Sequence, residues 1–254
     1  MIMHEFFIKG VVQGVGFRPY IYKKAKQLNL KGHVKNTGNG VQVLVNDKNF
    51  IEKLTDLPPL ALISEYETNE TSQEEPIDFK ILESSKSDGE TILPADIFTC
   101  NDCLKELKDP SNLRHNYYFI TCTNCGPRFS MIKNYPYDRK TTSMNNFQMC
   151  EKCKKEYVNP LDRRYHAQTI ACKNCGPKLI LKKGKGKIQT SSDFEAIRKT
   201  AELIKNGEAI SIKGVGGFHI CALTNKYSTI KVRNFLKRKD KTYEILVKDI
   251  RAEK

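Results

Sequence analysis

Eight of the nine cysteines in this 254-residue chain fall into four C-x2-C pairs, Cys100/Cys103, Cys122/Cys125, Cys150/Cys153 and Cys172/Cys175, with gaps of 18, 24 and 18 residues between them. A two-residue gap lets both thiolates of a pair reach one ion, and four thiolates suit tetrahedral zinc at about 2.3 Å per bond. The unit C-x2-C-x18-C-x2-C occurs twice, and residues 100–127 and 150–177 align without gaps with 12 identities in 28 positions. The identities include Pro110/Pro160, Arg114/Arg164 and the Asn-Cys-Gly-Pro runs at 124–127 and 174–177, while His166 takes the place of Asn116. The regular duplication favours two structural zinc ions over a disulfide framework or iron–sulfur ligation. Four thiolates leave no open position for metal catalysis. Pairing within each repeat is the simplest arrangement, and exchange between repeats stays open at this point.

Compartment bears on that choice. The opening "MIMHEFFIKG" has neither a basic n-region nor a long apolar h-region, and no apolar run approaches the length of a membrane span, so the expected location is the cytoplasm and no membrane partner is expected. The net charge of +14 divides as −2 over residues 1–90, +6 over 91–180 and +10 over 181–254. Such a basic excess suits an anionic partner, a nucleotide or a nucleic acid, and equally a lysine-rich composition with no partner at all. The aromatics of the last third, Phe194, Phe218, Tyr227, Phe235 and Tyr243, are too widely spaced to support base stacking.

The cysteine block divides the chain into three: residues 1–90, 91–180 with finger repeats at 100–125 and 150–175, and 181–254. Upstream, residues 4–12 read as a strand ending in the loop Gln13-Gly14-Val15-Gly16-Phe17-Arg18. Pro19 suits the first position of a helix through "YIYKKAKQL". "GHVKNT" and "GVQVLVN" read as a hairpin, "DKNFIEKLTDL" as a second helix opening at Asp47, and "LISEYETNE" and "IDFKILES" as further strands. The order is β-α-β-β-α-β plus a strand, a ferredoxin-like α+β domain. A strand, a glycine loop and a helix start make an anion cradle, with Arg18 placed to fork onto two oxygens. From spacing alone, a tight turn with a solvated arginine fits as well.

"GVVQGVGFR" followed by "GHVKNTGNGVQV" resembles the two signatures of the acylphosphatase family. The resemblance implies that Gln13, Gly14, Val15, Gly16, Phe17 and Arg18 hold a phosphoryl group and that Asn36 orients the attacking water, with both Arg18 and Asn36 facing an open site. The order of parts is similar to the N-terminal portion of the HypF family, carbamoyltransferases of [NiFe]-hydrogenase maturation, as are "CTNCGPRFS", "YPYDR", "TSM" and "RRYHAQ". "LIKNGEAISIKGVGGFHICA" resembles the start of that family's YrdC-like nucleotide-binding domain. The resemblance implies a relay: carbamoyl phosphate hydrolysis, carbamoyl-adenylate formation with ATP and Mg2+, and transfer to a HypE-type partner. Lys213, Arg238 and Lys239 are the nucleotide-binding candidates it suggests. The family chain is about three times longer and carries a Lys-Pro where "KRKDKTYEILVKD" has none. The expectation is therefore a shortened chain with an incomplete α/β YrdC-like segment, at most an acyl phosphate hydrolase by itself. Two alternatives stand beside it: a non-catalytic zinc scaffold, and a basic zinc protein that binds nucleic acid.

Overall fold

A computed structural model describes residues 2–85, 92–184, 186–187, 190, 192–214, 216–237 and 242–247. The chain forms two compact units, Met1–Lys178 and Leu179–Lys254.

The first unit starts with β1 (Met3–Val11), α1 (Phe17–Gln27), β2 (Gly32–Thr37), β3 (Gly40–Val45), β4 (Leu62–Thr71) and β5 (Phe79–Ile81). The sheet order is β4-β1-β3-β2-β5, antiparallel except for β2 with β5. This is the expected ferredoxin-like frame. Alternation along the strands sends Phe6, Ile8, Val34, Val41, Val43 and Val45 to one face. On α1, Phe17, Ile21 and Ala25 recur every fourth residue and meet that face. The edge strand β4 exposes Glu65, Glu67 and Glu70, charges that discourage pairing with another chain.

Two local expectations are corrected. The α1 helix begins at Phe17 with Gly16 as its cap, so Pro19 is the third helical residue rather than the first. Its missing N–H still costs nothing, because the first turn has no acceptor for it. The segment after Asp47 forms only a 3-10 turn, Ile51–Lys53. The Asp47 carboxylate accepts from the Asn49 N–H at 3.0 Å and pairs with Lys53 at 2.5 Å, closing a tight local turn instead of opening an α-helix. Buried Phe50 then anchors the turn in the core, and Pro58 and Pro59 follow.

The fingers follow the same plan twice: α2 (Asn101–Lys108) and α3 (Glu151–Val158) each begin just after the first cysteine of a repeat. Each repeat sends a matched arginine into the other, and the second repeat adds Arg163, which pairs with Glu106 at 2.7 Å. Arg114, 1% exposed, donates to the Ala171 carbonyl at 2.9 Å, forks onto Glu156 and reaches the Cys153 sulfur at 3.5 Å. Arg164, 3% exposed, donates to the Thr121 carbonyl at 3.0 Å, forks onto Glu106 and reaches the Cys103 sulfur at 3.8 Å. Every partner in one set lies fifty residues from its counterpart in the other, so the contacts are related by a pseudo-twofold. Burial raises the Glu106 pKa, but hydrogen bonds from Arg164 and Arg163 outweigh it and hold the carboxyl at about 2. Arg114→Met should lower stability by about 2 kcal/mol, leaving Glu156 half-buried without its cation. Urea unfolding of the zinc-loaded protein measures it, and an unchanged midpoint would show the exchange to be idle.

The second unit contains β6 (Lys182–Lys183), β7 (Gly186–Lys187), α4 (Asp193–Lys205), β8 (Ile210–Lys213), β9 (Phe218–Cys221) and α5 (Lys226–Leu236). Its strands form two separate hairpins, β6-β7 and β8-β9. Phe194, Phe218, Tyr227 and Phe235 remain exposed, with Leu181, Ala196, Ser228 and Val232 buried. So few buried apolar side chains make this unit the less stable of the two. No helix among the described residues is long and apolar enough to cross a membrane.

Candidate functional site

The loop after β1 turns through Gly14 at φ +74° and Gly16 at φ +80°, left-handed conformations that favour glycine. The backbone N–H groups of residues 14–18 have no hydrogen-bond partner among the described residues. They form a nest of donors at the α1 N-terminus, where the helix dipole also favours an anion. Gln13 serves a different purpose with its side chain. Its amide donates to the Thr37 and Gly40 carbonyls, both at 2.8 Å, and accepts from the Tyr137 N–H at 2.9 Å. Both amide N–H groups are spent in this way and the oxygen is engaged, so the side chain acts as a brace.

Arg18 and Asn36 come together, as expected, but not in an open site. Arg18 is 8% exposed and Asn36 fully buried, because the finger block closes over them. Arg18 pairs with Asp138 at 2.8 Å and donates to the Tyr137 carbonyl and the Ser84 hydroxyl, both at 3.2 Å. A guanidinium has five N–H donors, so two remain unspent. The Asn36 amide N–H2 donates to the same Tyr137 carbonyl at 3.2 Å. Its carbonyl oxygen is buried with no partner among the described residues, a costly condition unless a ligand or water fills it.

The rest of the cavity wall comes from residues more than a hundred positions away: Thr123, Arg128, Tyr137, His166, Gln168 and Thr169 among them. Arg128 is buried, and its guanidinium forms no ion pair with a carboxylate among the described residues. It donates to the Gly14 carbonyl and to the carbonyls of Pro127, Cys122 and Thr123, each of these three at 2.9 Å. A Cβ at Gly14 would meet the Arg128 side chain at 3.3 Å, and one at Gly16 would meet Thr123 at 3.2 Å. Burial, and then the charge of Arg18, pushes the His166 imidazole down to about 4, against a smaller upward pull from Asp138, so it is neutral near pH 7. None of these wall residues was placed at the site from sequence. "YPYDR" and "RRYHAQ" were singled out as segments, and the replacement of Asn116 by His166 between repeats was the one signal pointing at a single side chain.

The cysteines cluster within each repeat: Cys100, Cys103, Cys122 and Cys125 in one group, Cys150, Cys153, Cys172 and Cys175 in the other. Neighbouring sulfurs stand 3.5–3.8 Å apart. A tetrahedron with about 2.3 Å zinc–sulfur bonds has edges of about 3.8 Å, whereas a disulfide would hold sulfurs at about 2.05 Å. The residues therefore fit two structural zinc ions. Arg163 at 3.0 Å from the Cys103 sulfur, with Arg164 beyond it, and Arg114 beside Cys153 offset the negative charge of four thiolates on one dication. The Asn124 N–H points at the Cys122 sulfur from 3.3 Å.

In the second unit Lys213 ends β8, donates to the Gly214 carbonyl at 2.9 Å and lies over the Phe218 ring. Arg238 and Lys239 lie outside the described residues.

Comparison with known proteins agrees with this construction. The acylphosphatase family model matches residues 4–81, and the HypF finger model matches residues 99–132 and 149–181. An acylphosphatase of Mannheimia succiniciproducens is 37% identical over 78 residues, 28% of this chain and 87% of that protein. The first unit is thus an acylphosphatase domain joined to a pair of HypF fingers. The probable carbamoyltransferase HypF of Methanocaldococcus jannaschii is 47% identical over 251 residues, 95% of this chain. A crystal structure of full-length HypF in the phosphate- and nucleotide-bound form matches with a TM-score of 0.90 at 39% identity, covering 100% of this chain and 34% of that one. The chain belongs to the HypF family, and it spans about a third of the length of the curated HypF relatives it matches: 32% of the Methanocaldococcus protein.

Proposed function

We propose that this chain hydrolyses acyl phosphates at the Gly14–Arg18 cradle, with carbamoyl phosphate as substrate. The carrying observation is the unpartnered, fully buried Asn36 carbonyl oxygen beside a nest of free N–H groups and Arg18. The main chain of Gln13, Gly14, Val15, Gly16 and Phe17, with the two free N–H groups of Arg18, would hold the phosphoryl oxygens. Asn36 would accept a hydrogen bond from water and hold it for attack on phosphorus. Water adds to phosphorus, the bond between phosphorus and the acyl oxygen breaks, and phosphate and a carboxylate leave; from carbamoyl phosphate that carboxylate is carbamate. Such a loose transition state needs positioning and charge stabilisation more than a strong base.

Within a complete HypF protein, which this chain covers only in part, carbamate would pass to ATP- and Mg2+-dependent adenylation and then to a HypE-type partner in the cytoplasm. The phosphate- and nucleotide-bound HypF structure supports that reading, and Lys213, Arg238 and Lys239 are its nucleotide-binding candidates here. One observation favours a second reading, a non-catalytic scaffold: Asp138 already neutralises Arg18. Phosphate release from carbamoyl and acetyl phosphate separates the two. Asn36→Ala should cut turnover about a hundredfold while inorganic phosphate still inhibits, since the cradle is intact. Full turnover in that variant would remove Asn36 from the mechanism.

A further inference from the structure

An acyl phosphate has two ends. With its phosphoryl group on the loop amides and Arg18, its acyl group is left to the opposite wall, which the fingers build. In that wall His166 stands apart. Its backbone takes a left-handed turn at φ 55°, as does Asn116 at the equivalent place in the first repeat. The two turns are tied alike, Asn116 N–H to the Leu107 carbonyl at 3.0 Å and His166 N–H to the Tyr157 carbonyl at 2.9 Å. Asparagine and histidine both adopt this conformation more readily than most residues, so the turn itself does not decide between them. The ring is set by contact with two aromatics, Tyr157 with centroids 5.0 Å away and Tyr165 at 4.6 Å. Its nitrogens have no hydrogen bond among the described residues.

The neighbouring polar groups are occupied. Gln168 donates to the Tyr157 hydroxyl and the His166 carbonyl and accepts from the Arg139 N–H. Thr169 bonds Thr121 at 2.9 Å, and Thr123 donates to the Arg163 carbonyl at 3.2 Å. Arg128 brings only donors. The unpartnered Tyr137 hydroxyl belongs to a ring packed 3.5 Å from the Cβ position of Gly14, at the phosphoryl end. We infer that His166 selects the acyl group, its bare ring nitrogen accepting an N–H from a carbamoyl group and so favouring carbamoyl phosphate over acyl phosphates that end in a methyl. The inference rests on the acyl phosphate reading of the site. The neutral state of the imidazole agrees with it, because an imidazolium would have no acceptor.

The test uses the zinc-loaded 254-residue chain. It compares kcat/KM for carbamoyl and acetyl phosphate in wild type, in His166→Asn, which keeps the side chain of the first repeat's turn and draws the acceptor back toward the backbone, and in His166→Gln, which carries an acceptor one methylene further out. The wild type should favour carbamoyl phosphate by about tenfold, the worth of one hydrogen bond to a half-buried acceptor with no protein partner among the described residues. His166→Asn should lose that preference, its kcat/KM for carbamoyl phosphate falling about tenfold further than that for acetyl phosphate, and His166→Gln should recover part of it. No preference in the wild type, an unchanged preference in His166→Asn, or an equal fall for both substrates would overturn the inference while leaving the hydrolase reading standing. A wild type inert toward both substrates would overturn both. The wild-type preference needs no variant, so the test holds even if a substituted chain fails to fold.

Discussion

Arg18→Ala should abolish acyl phosphate hydrolysis and relieve inhibition by inorganic phosphate. The guanidinium is the one side-chain cation in the loop, and losing charge stabilisation of this kind costs about a hundredfold to a thousandfold in turnover. The variant should also be measurably less stable, which an open site would not have required. Arg18 sits under the fingers in contact with Asp138, whose side chain is 14% exposed, and removing the cation strands that carboxylate. About 1–3 kcal/mol is expected from such a half-enclosed pair. Adding Asp138→Asn to Arg18→Ala should restore much of the melting temperature and none of the activity. That split separates a catalytic arginine from a latch. Wild-type turnover in Arg18→Ala would end the catalytic reading and put the scaffold first.

Removing zinc should have the second large effect. About two zinc ions per chain are expected, one for each cluster of four thiolates. Metal binding of this kind supplies roughly 10–16 kcal/mol of apparent folding free energy in isolated fingers. The sheet and α1 form a core that contains no cysteine, so their circular dichroism should survive chelation. Hydrolysis should not. Tyr137 braces Gln13, Arg128 grips the Gly14 carbonyl and Asp138 holds Arg18, and all three residues lie between the two halves of the cysteine block. Phosphate release should therefore fall in step with zinc release during a chelator titration, Cys122 itself lying in the cavity wall. A metal-free chain with full activity and the same melting curve would refute this.

The sequence carried much of this, unevenly. Cysteine spacing was enough for the two clusters because a knuckle is local: both of its thiols lie within four residues. Which pairs share an ion was left open, since that depends on how residues 22 apart come together. The cradle could be read because its glycines, Arg18 and the helix start are contiguous, and because the resemblance placed Asn36. Its lid could not be read. Asp138, Tyr137, Arg128 and His166 reach the loop across more than a hundred residues, and nothing in their local pattern says where they go. The helix expected after Asp47 failed for the opposite reason. Its amphipathic spacing was genuine, but a local carboxylate turn captured the backbone first. The Arg114/Arg164 identity was visible in the alignment, while its meaning, a crossing from each repeat into the other, needed coordinates.

That crossing bears on how the metals are acquired. Each finger's acidic residue and first helical cysteine are complemented by an arginine whose own position depends on the other finger being folded. A chain holding one zinc therefore has a completed cluster with an unplaced guanidinium opposite it, and binding the second ion recovers that interaction. The two sites should therefore be thermodynamically linked, each raising the other's affinity by the same factor. Under limiting zinc, native mass spectrometry should find empty and doubly loaded molecules in excess over singly loaded ones, and Arg114→Met should bring the distribution back toward independent filling.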